Sequence, residues 1–339
     1  MRIDQISTPA LVIDQAAFEH NVATMSAVRP GASLRPHVKA FKSTDLARRL
    51  ADAGHTNFCC ATVREMEGMA AAGLGHDLLL ANEVVDPRRL RRLGTLAEAG
   101  AARVTVAVDS VATIEAAARS GITDVLIDVF VGLPRCGCDP DDAEQLAEVA
   151  RASGLHVRGV MGYEGHLVHE KDRGTRTERV AAAMADLARA HAVVGGDIVS
   201  GGGTGTYDCN DVVNEVQAGS YTLMDGQYGE LDLPFRPALH VLTTVISVNP
   251  SGWVVLDGGL KALAMDQGNP TTTDATVLFC SDEHTVIAPD DGVVFAVGDR
   301  VMLAPAHIDP TIAKHPRMFV AAGDQIVDEW AVDLRDWGD

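Results

Sequence analysis

From residue 33 to about residue 225, short β-branched runs alternate with Ala-, Arg- and Glu-rich amphipathic stretches, and this rhythm restricts the fold more than any other feature. Strands that pair in parallel need a long crossover, and a helix is the usual one. Strands are expected at 33–39, 57–61, 77–81, 103–108, 124–129, 156–162, 197–200 and 215–223. Helices are expected at 44–53, 63–72, 87–99, 110–119, 140–153 and 174–194. Gly54, Gly73, Gly100, Gly121 and Gly154 each follow a helix end, where a left-handed cap belongs. Eight such strands favour closure into a (β/α)8 TIM-like barrel over an open sheet. No GxGxxG follows the first strand, which weakens the case for a dinucleotide fold.

After about residue 235 the texture changes. ALHVLTTVISV, WVVLDGG, ATVLFC, HTVIA, RVMLAPAHID and DQIVDEWAV are short alternating runs broken by turn residues, which read as an antiparallel β domain. The expected division is an α/β barrel over 15–235 and a β domain over 236–339, with an N-terminal strand within 8–14 joining the second. A chain of 339 residues suffices for both.

The formal net charge of −19 repels phosphate backbones and anionic lipid, so nucleic acid and membrane are poor partners. No apolar run approaches the ~20 residues that cross a bilayer. The six cysteines form no CxxC pair, and a cytoplasmic protein with reduced thiols is expected.

Function in such a barrel sits on loops at the C-terminal ends of the strands. Lys39 ends the first strand, in LRPHVKAFKS, with Arg35, His37 and Lys42 as neighbouring cations. Such cations can depress a lysine or favour its imine with a carbonyl cofactor, although spacing alone reads as an exposed lysine on a basic loop. Asn82 and Asp109 end the third and fourth strands. Arg135 follows the fifth strand, while Tyr163 and His166 follow the sixth in MGYEGH. SGGGTGTY follows the seventh. Its glycines let backbone N–H groups converge on an anion, with Thr204 and Thr206 as hydroxyl donors. In APAHIDPT, an extended chain would project His307 and Asp309 to one side, where they could share a divalent ion. On spacing alone, a loop histidine beside a local turn explains that pair better. Cys136 and Cys138 read as packing beside Arg135. His55, His76, His156 and His191 read as structural.

LRPHVKAFKS, VGLPRCG, GYEGH, SGGGTGTY, QAGSYTLMDGQYG, LDGGLKAL and AHIDPT occur in the order seen in D-threonine aldolases, which the chain resembles from Thr8 to Trp330. D-serine dehydratase-like enzymes share this plan, and both belong to the alanine-racemase-like fold type of pyridoxal-phosphate enzymes. The resemblance implies that Lys39 holds pyridoxal 5'-phosphate as a Schiff base and that Arg135 contacts its ring oxygen. It implies that Gly202, Gly203 and Thr204 cradle the phosphate beside Tyr221, while Tyr163 and His166 face the substrate. His307 and Asp309 correspond to ligands of a divalent metal, for which manganese, magnesium and zinc all suit a mixed N/O set.

The activity implied is cleavage of a D-3-hydroxy amino acid, such as D-threonine, to glycine and an aldehyde. His166 or a metal-bound hydroxide takes the β-hydroxyl proton. The dehydratases carry a cysteine where Asp309 stands, which favours the aldolase. A dehydratase acting on D-serine or 3-hydroxyaspartate, giving ammonia and a 2-oxo acid, is the alternative, with a non-catalytic cofactor-binding protein behind it. A homodimer is implied, in which Asp257, Lys261 or His284 could reach the neighbouring subunit's site. Ala40-Phe41 replaces the Thr-His that often follows the lysine, and AKHPRMFV also departs from the pattern.

Overall fold

Strand β1 (Ala10–Asp14) and helix α1 (Gln15–Val28) open the chain. Seven parallel strands follow: β2 (Asn57–Cys60), β3 (Asp77–Leu80), β4 (Val104–Val108), β5 (Asp124–Asp128), β6 (His156–Gly162), β7 (Ile198–Gly201) and β8 (Glu215–Val216). They pair in that order. Helices α2 (Thr44–Asp52), α3 (Val63–Ala71), α4 (Pro87–Glu98), α5 (Val111–Ala118), α6 (Ala143–Ala152) and α7 (Arg173–Val194) alternate with them. The computed structural model describes residues 1–337. By contacts the chain forms two units: Met25–Lys39 with Ala47–Gly219 and the stretch from Asp336, and Met1–Thr24 with Ala40–Leu46 and Ser220–Arg335.

Local chemistry sets the helix boundaries. Thr62 accepts from the Glu65 N–H while the Glu65 side chain accepts the Thr62 N–H, a reciprocal cap for α3. Asp86, Ser110 and Asp172 cap α4, α5 and α7 through side-chain oxygens. The five expected stop glycines have φ between +66° and +99°.

Two expected strands differ. Residues 33–39 form no regular ladder, because Pro36 lacks an N–H and 3-10 turns occupy Gly31–Ser33 and Val38–Ala40. Isolated bridges nonetheless join Leu34 to Val216 and His37 to Cys59. Arg35 N–H donates to Val216 O at 2.9 Å, and Cys59 N–H donates to Pro36 O at 2.9 Å. This irregular segment therefore closes the barrel between β8 and β2. The strand expected over 215–223 is only Glu215–Val216, because the chain turns away into a 3-10 turn at Ser220–Thr222.

Alternation along the strands places Asp77 with Leu79, and Thr105 with Ala107, on one face of the sheet. Cys59, Leu79, Ala107, Leu126 and Met161 make an apolar cluster. Nearer the strand starts lies a buried ion network. Arg35 donates to both Glu215 carboxylate oxygens at 2.7 and 2.9 Å and to Asp77 Oδ1 at 3.2 Å. Arg158 donates to both Asp77 oxygens at 2.8 and 2.6 Å and to Thr105 Oγ1 at 2.5 Å. Five strand segments are thereby tied together.

The other unit contains β9 (Leu239–Val248), β10 (Val254–Leu256), β11 (Ala275–Cys280), β12 (Thr285–Pro289), β13 (Arg300–Leu303), β14 (Arg317–Ala322) and β15 (Gln325–Ala331). The order is β11-β12-β10-β9-β1-β14-β15, with β13 also paired to β9. Every pairing is antiparallel except β1 with β14, an exception to the all-antiparallel reading. Strand β14 begins within AKHPRMFV, where the turn-bounded runs predicted none. Among the described residues no helix is long and apolar enough to cross a membrane.

Burial alone would raise the Asp77 carboxyl, but Arg158 and Arg35 outweigh it and hold it at about 2. Its contribution to stability is therefore present above the ordinary carboxylate value and lost as pH falls from about 4 toward 2. Asp77→Asn is expected to cost roughly 3–5 kcal/mol by leaving buried guanidinium charge uncompensated. Urea unfolding at pH 7 and pH 3 checks both points, because the variant's deficit should shrink in acid.

Candidate functional site

Lys39 lies in the 3-10 turn that follows the barrel-closing segment, half-buried, with its N–H 3.4 Å from His37 Nδ1. Arg35 was expected to add positive charge beside it, but that guanidinium is spent on Glu215 and Asp77. Burial pushes the Cys59 thiol far up despite the charges of Arg35 and Lys39, so Cys59 is an inert packing group.

The loop after β7 is organised by a residue the motif reading passed over. Glu164 is fully buried. Its Oε2 accepts the Gly202 N–H at 3.1 Å, and its Oε1 accepts from Thr206 Oγ1 and Asn210 Nδ2, both at 2.8 Å. Thr206 Oγ1 also accepts the Gly203 N–H at 3.0 Å. Two amides expected to converge on an anion are thus committed within the loop. Gly202 needs its left-handed φ of +77° to present its N–H to Glu164. A Cβ at Gly205 would stand 1.8 Å from Val168 O, so only glycine fits there. Glu164 lies inside GYEGH, between residues already chosen, and its position beside a Gly-rich loop was the available signal.

Arg135 extends over the Tyr163 ring, with its guanidinium carbon 5.4 Å from the centroid. Gly203 backs onto the same ring, because a Cβ there would lie 3.4 Å from Tyr163 Cε2 and 3.3 Å from Val168 Cγ1. His166 is exposed and lies against Gly132, whose added Cβ would meet its ring at 2.8 Å. Partial burial and the Arg179 charge lower its pKa, with Glu164 opposing. Arg135, Tyr163, His166 and the 202–204 loop follow strand C-terminal ends within this unit, and Lys39 follows the barrel-closing segment.

Acidic groups at these strand ends were only partly foreseen. Asp128 ends β5 and is buried. Burial and the neighbouring Glu83 carboxylate raise its pKa well above the usual range, against Arg135. Donor atoms of Glu83, Asp109 and Cys136 lie within 4.8 Å of one another. Burial and these carboxylates push the Cys136 and Cys138 thiols to about 12. Asn82 donates to Ala61 O at 3.1 Å. His55 bonds Ser26 and Gly31, His76 meets Asn57, His156 meets Asp124, and His191 meets Gly196 O.

The other unit carries Tyr221, His307 and Asp309. Tyr221 is fully buried, packed 5.7 Å from the Phe235 ring centroid, and burial raises its phenol pKa. The stretch around His307 is not an extended strand. His307 caps helix α8 (Ile308–Ile312) and Asp309 occupies its first turn, because Pro310 is tolerated there and the backbone turns. His307 Nδ1 is 2.6 Å from Asp266 Oδ2. Asp225 accepts the Ile308 N–H, and both His307 and Asp309 act on its charge. Burial leads in raising Asp225 to about 6. No spacing pattern pointed to Asp266 or Asp225.

Residues 13–226 match the alanine racemase N-terminal domain, and residues 238–321 match a serine dehydratase domain. The chain is similar to the D-threonine aldolase of Arthrobacter sp, 36% identical over 98% of this chain and 93% of that protein. It is 33% identical to the 3-hydroxy-D-aspartate aldolase of Paracoccus denitrificans, over the same shares. A D-threo-3-hydroxyaspartate dehydratase from Delftia sp. is 29% identical over 96% of this chain and 97% of that protein. The crystal structure of D-threonine aldolase from Filomicrobium marinum has a TM-score of 0.93 at 31% identity, covering 99% of this chain and 97% of that one.

Glu164→Ala is expected to remove the common acceptor of the 202–210 loop. Hydrogen exchange at the Gly202 amide should accelerate at least tenfold, measured by mass spectrometry, while exchange in β3 and β4 stays unchanged.

Proposed function

The chain belongs to the alanine racemase N-terminal domain family, and on that premise we propose that it cleaves D-3-hydroxy amino acids to glycine and an aldehyde. The observation that carries the reading is the near full-length likeness to two aldolases acting on substrates of this class. The proposed cofactors are pyridoxal 5'-phosphate and a divalent ion of manganese, magnesium or zinc.

The residues suit the organic cofactor. Lys39 supplies an amine just after the barrel-closing segment, and Arg135 supplies a donor over an aromatic ring. At Gly203 bare backbone faces the edge of Tyr163, leaving room that a Cβ would fill. Gly202 and Gly203 serve such a cradle by shape, with their N–H groups turned to Glu164 and Thr206, while Thr204 adds a hydroxyl. Pyridoxal phosphate bound there supplies an electron sink for the pair left on Cα when the Cα–Cβ bond breaks.

A divalent ion held by His307 and Asp309 supplies Lewis acidity at the β-hydroxyl. An imidazole and a carboxylate suit such ions, and the chain is similar to a mutant D-threo-3-hydroxyaspartate dehydratase solved in its metal-free form. Partial burial and the Arg179 charge favour the neutral ring of His166, whose unprotonated nitrogen can accept the hydroxyl proton. Arg135 and Tyr163 keep their relative orientation through the ring contact and restrict how a substrate lies beside them.

Six free thiols support a reducing, cytoplasmic setting. Leu278 and Phe279, exposed side by side on the edge strand β11, support a homodimer. The dehydratase from Delftia sp. keeps a second reading in play, with ammonia and a 2-oxo acid as products.

Incubation with D-threonine is expected to yield equimolar glycine and acetaldehyde. Chelator should reduce the rate at least tenfold, and Lys39→Ala should abolish both the rate and the visible absorbance of the cofactor-bound protein. Ammonia and 2-oxobutanoate in their place would transfer the assignment to the dehydratase.

A further inference from the structure

Helix α8 is five residues long, too short to fix two side chains by itself. Two other segments hold it. In the first, Asp225 Oδ2 accepts the Ile308 N–H at 3.4 Å and Gly226 N–H donates to Pro305 O at 3.0 Å. In the second, His315 Nε2 lies 2.8 Å from Ala262 O, and Ala264 N–H donates to Thr311 Oγ1 at 3.0 Å. Thr311 Oγ1 in turn donates to His307 O at 2.7 Å. The irregular run 262–266, which follows the turn at Gly259, is thus clamped along α8, and the clamp ends with Asp266 Oδ2 2.6 Å from His307 Nδ1.

We infer that Asp266 is the positioning residue for His307, holding the imidazole as its Nδ1–H tautomer so that Nε2 carries the lone pair offered to a divalent cation. The inference rests on the metal reading above. A histidine on a loop has two neutral tautomers and a flippable ring. A carboxylate accepting from one nitrogen selects both the tautomer and the ring orientation.

Two alternatives fit less well. As a stabilising ion pair the contact is weak, because the Asp266 side chain is 52% exposed and solvent screens it. As a ligand sharing the cation through these atoms, Asp266 is too near. Two donors on one ion, each bonded at ~2.1 Å, stand about 3 Å or more apart.

The test is Mn²⁺ titration of metal-stripped full-length protein, read as the fall in the free-ion EPR signal, with thermal unfolding recorded in parallel. Wild type should bind Mn²⁺, and His307→Ala should not. Asp266→Asn and Asp266→Ala should weaken binding about 10- to 100-fold with unfolding midpoints little changed, the range typical of groups that orient a metal ligand. Asp266→Glu should restore most of the affinity. Wild-type affinity in both Asn and Ala variants overturns the inference while leaving the metal reading standing. Loss as complete as in His307→Ala also overturns it, by making Asp266 a ligand. A wild-type protein that binds no Mn²⁺ sinks the metal reading and the inference together.

Discussion

The buried guanidinium of Arg35 sits on the one barrel segment that is not a regular strand, and it supplies what the missing ladder does not. Pro36 interrupts the backbone pairing between 34 and 37, leaving isolated bridges to Val216 and Cys59. Arg35 fastens this segment to Glu215 at the start of β8 and Asp77 at the start of β3, and Arg158 completes the neutralisation of Asp77. Taking these charges out of water is costly, so the network is weak evidence of extra stability. Its contribution is positional. A segment held at Arg35 delivers Lys39 four residues later, at the C-terminal end where barrel enzymes conduct their chemistry.

Another buried carboxylate does comparable work at that end. Glu164 accepts from Gly202, Thr206 and Asn210 together, so its charge is solvated by the loop it organises. The Gly-rich run is consequently a shaped surface with its first donors turned inward. Val168 O against Gly205, and Val168 with Tyr163 against Gly203, show how closely backbone and side chains pack around it. The two networks divide the labour. One network closes the barrel at the strand starts, and the other rigidifies a loop beyond the strand ends.

The β unit solves its positioning problem without buried arginines. A short helix carrying His307 and Asp309 is pinned by hydrogen bonds from 225–226 and 262–264, most of them between a side chain and the backbone, and Thr311 bridges the helix start to Ala264. In each unit, groups able to bind a cofactor or cation come from irregular chain. Regular elements or paired polar groups hold that chain in place.

Periodicity and turn chemistry were sufficient for the alternation of strands and helices, the stop glycines and the change to a β domain, because these depend on neighbours within about ten residues. The order of motifs from Lys39 to Asp309 likewise pointed to the family without any coordinates. Tertiary structure decided the rest. It turned 33–39 into a bridge-closed segment, shortened 215–223 to two residues, and made β1 pair in parallel with a strand over 300 residues away. It also brought Glu164 under the Gly-rich loop and Asp266 onto His307, contacts across 38 and 41 residues. A carboxylate's partner is chosen by where the folded backbone carries it. A linear sequence records residue types and local spacing, and it holds no measure of that distance.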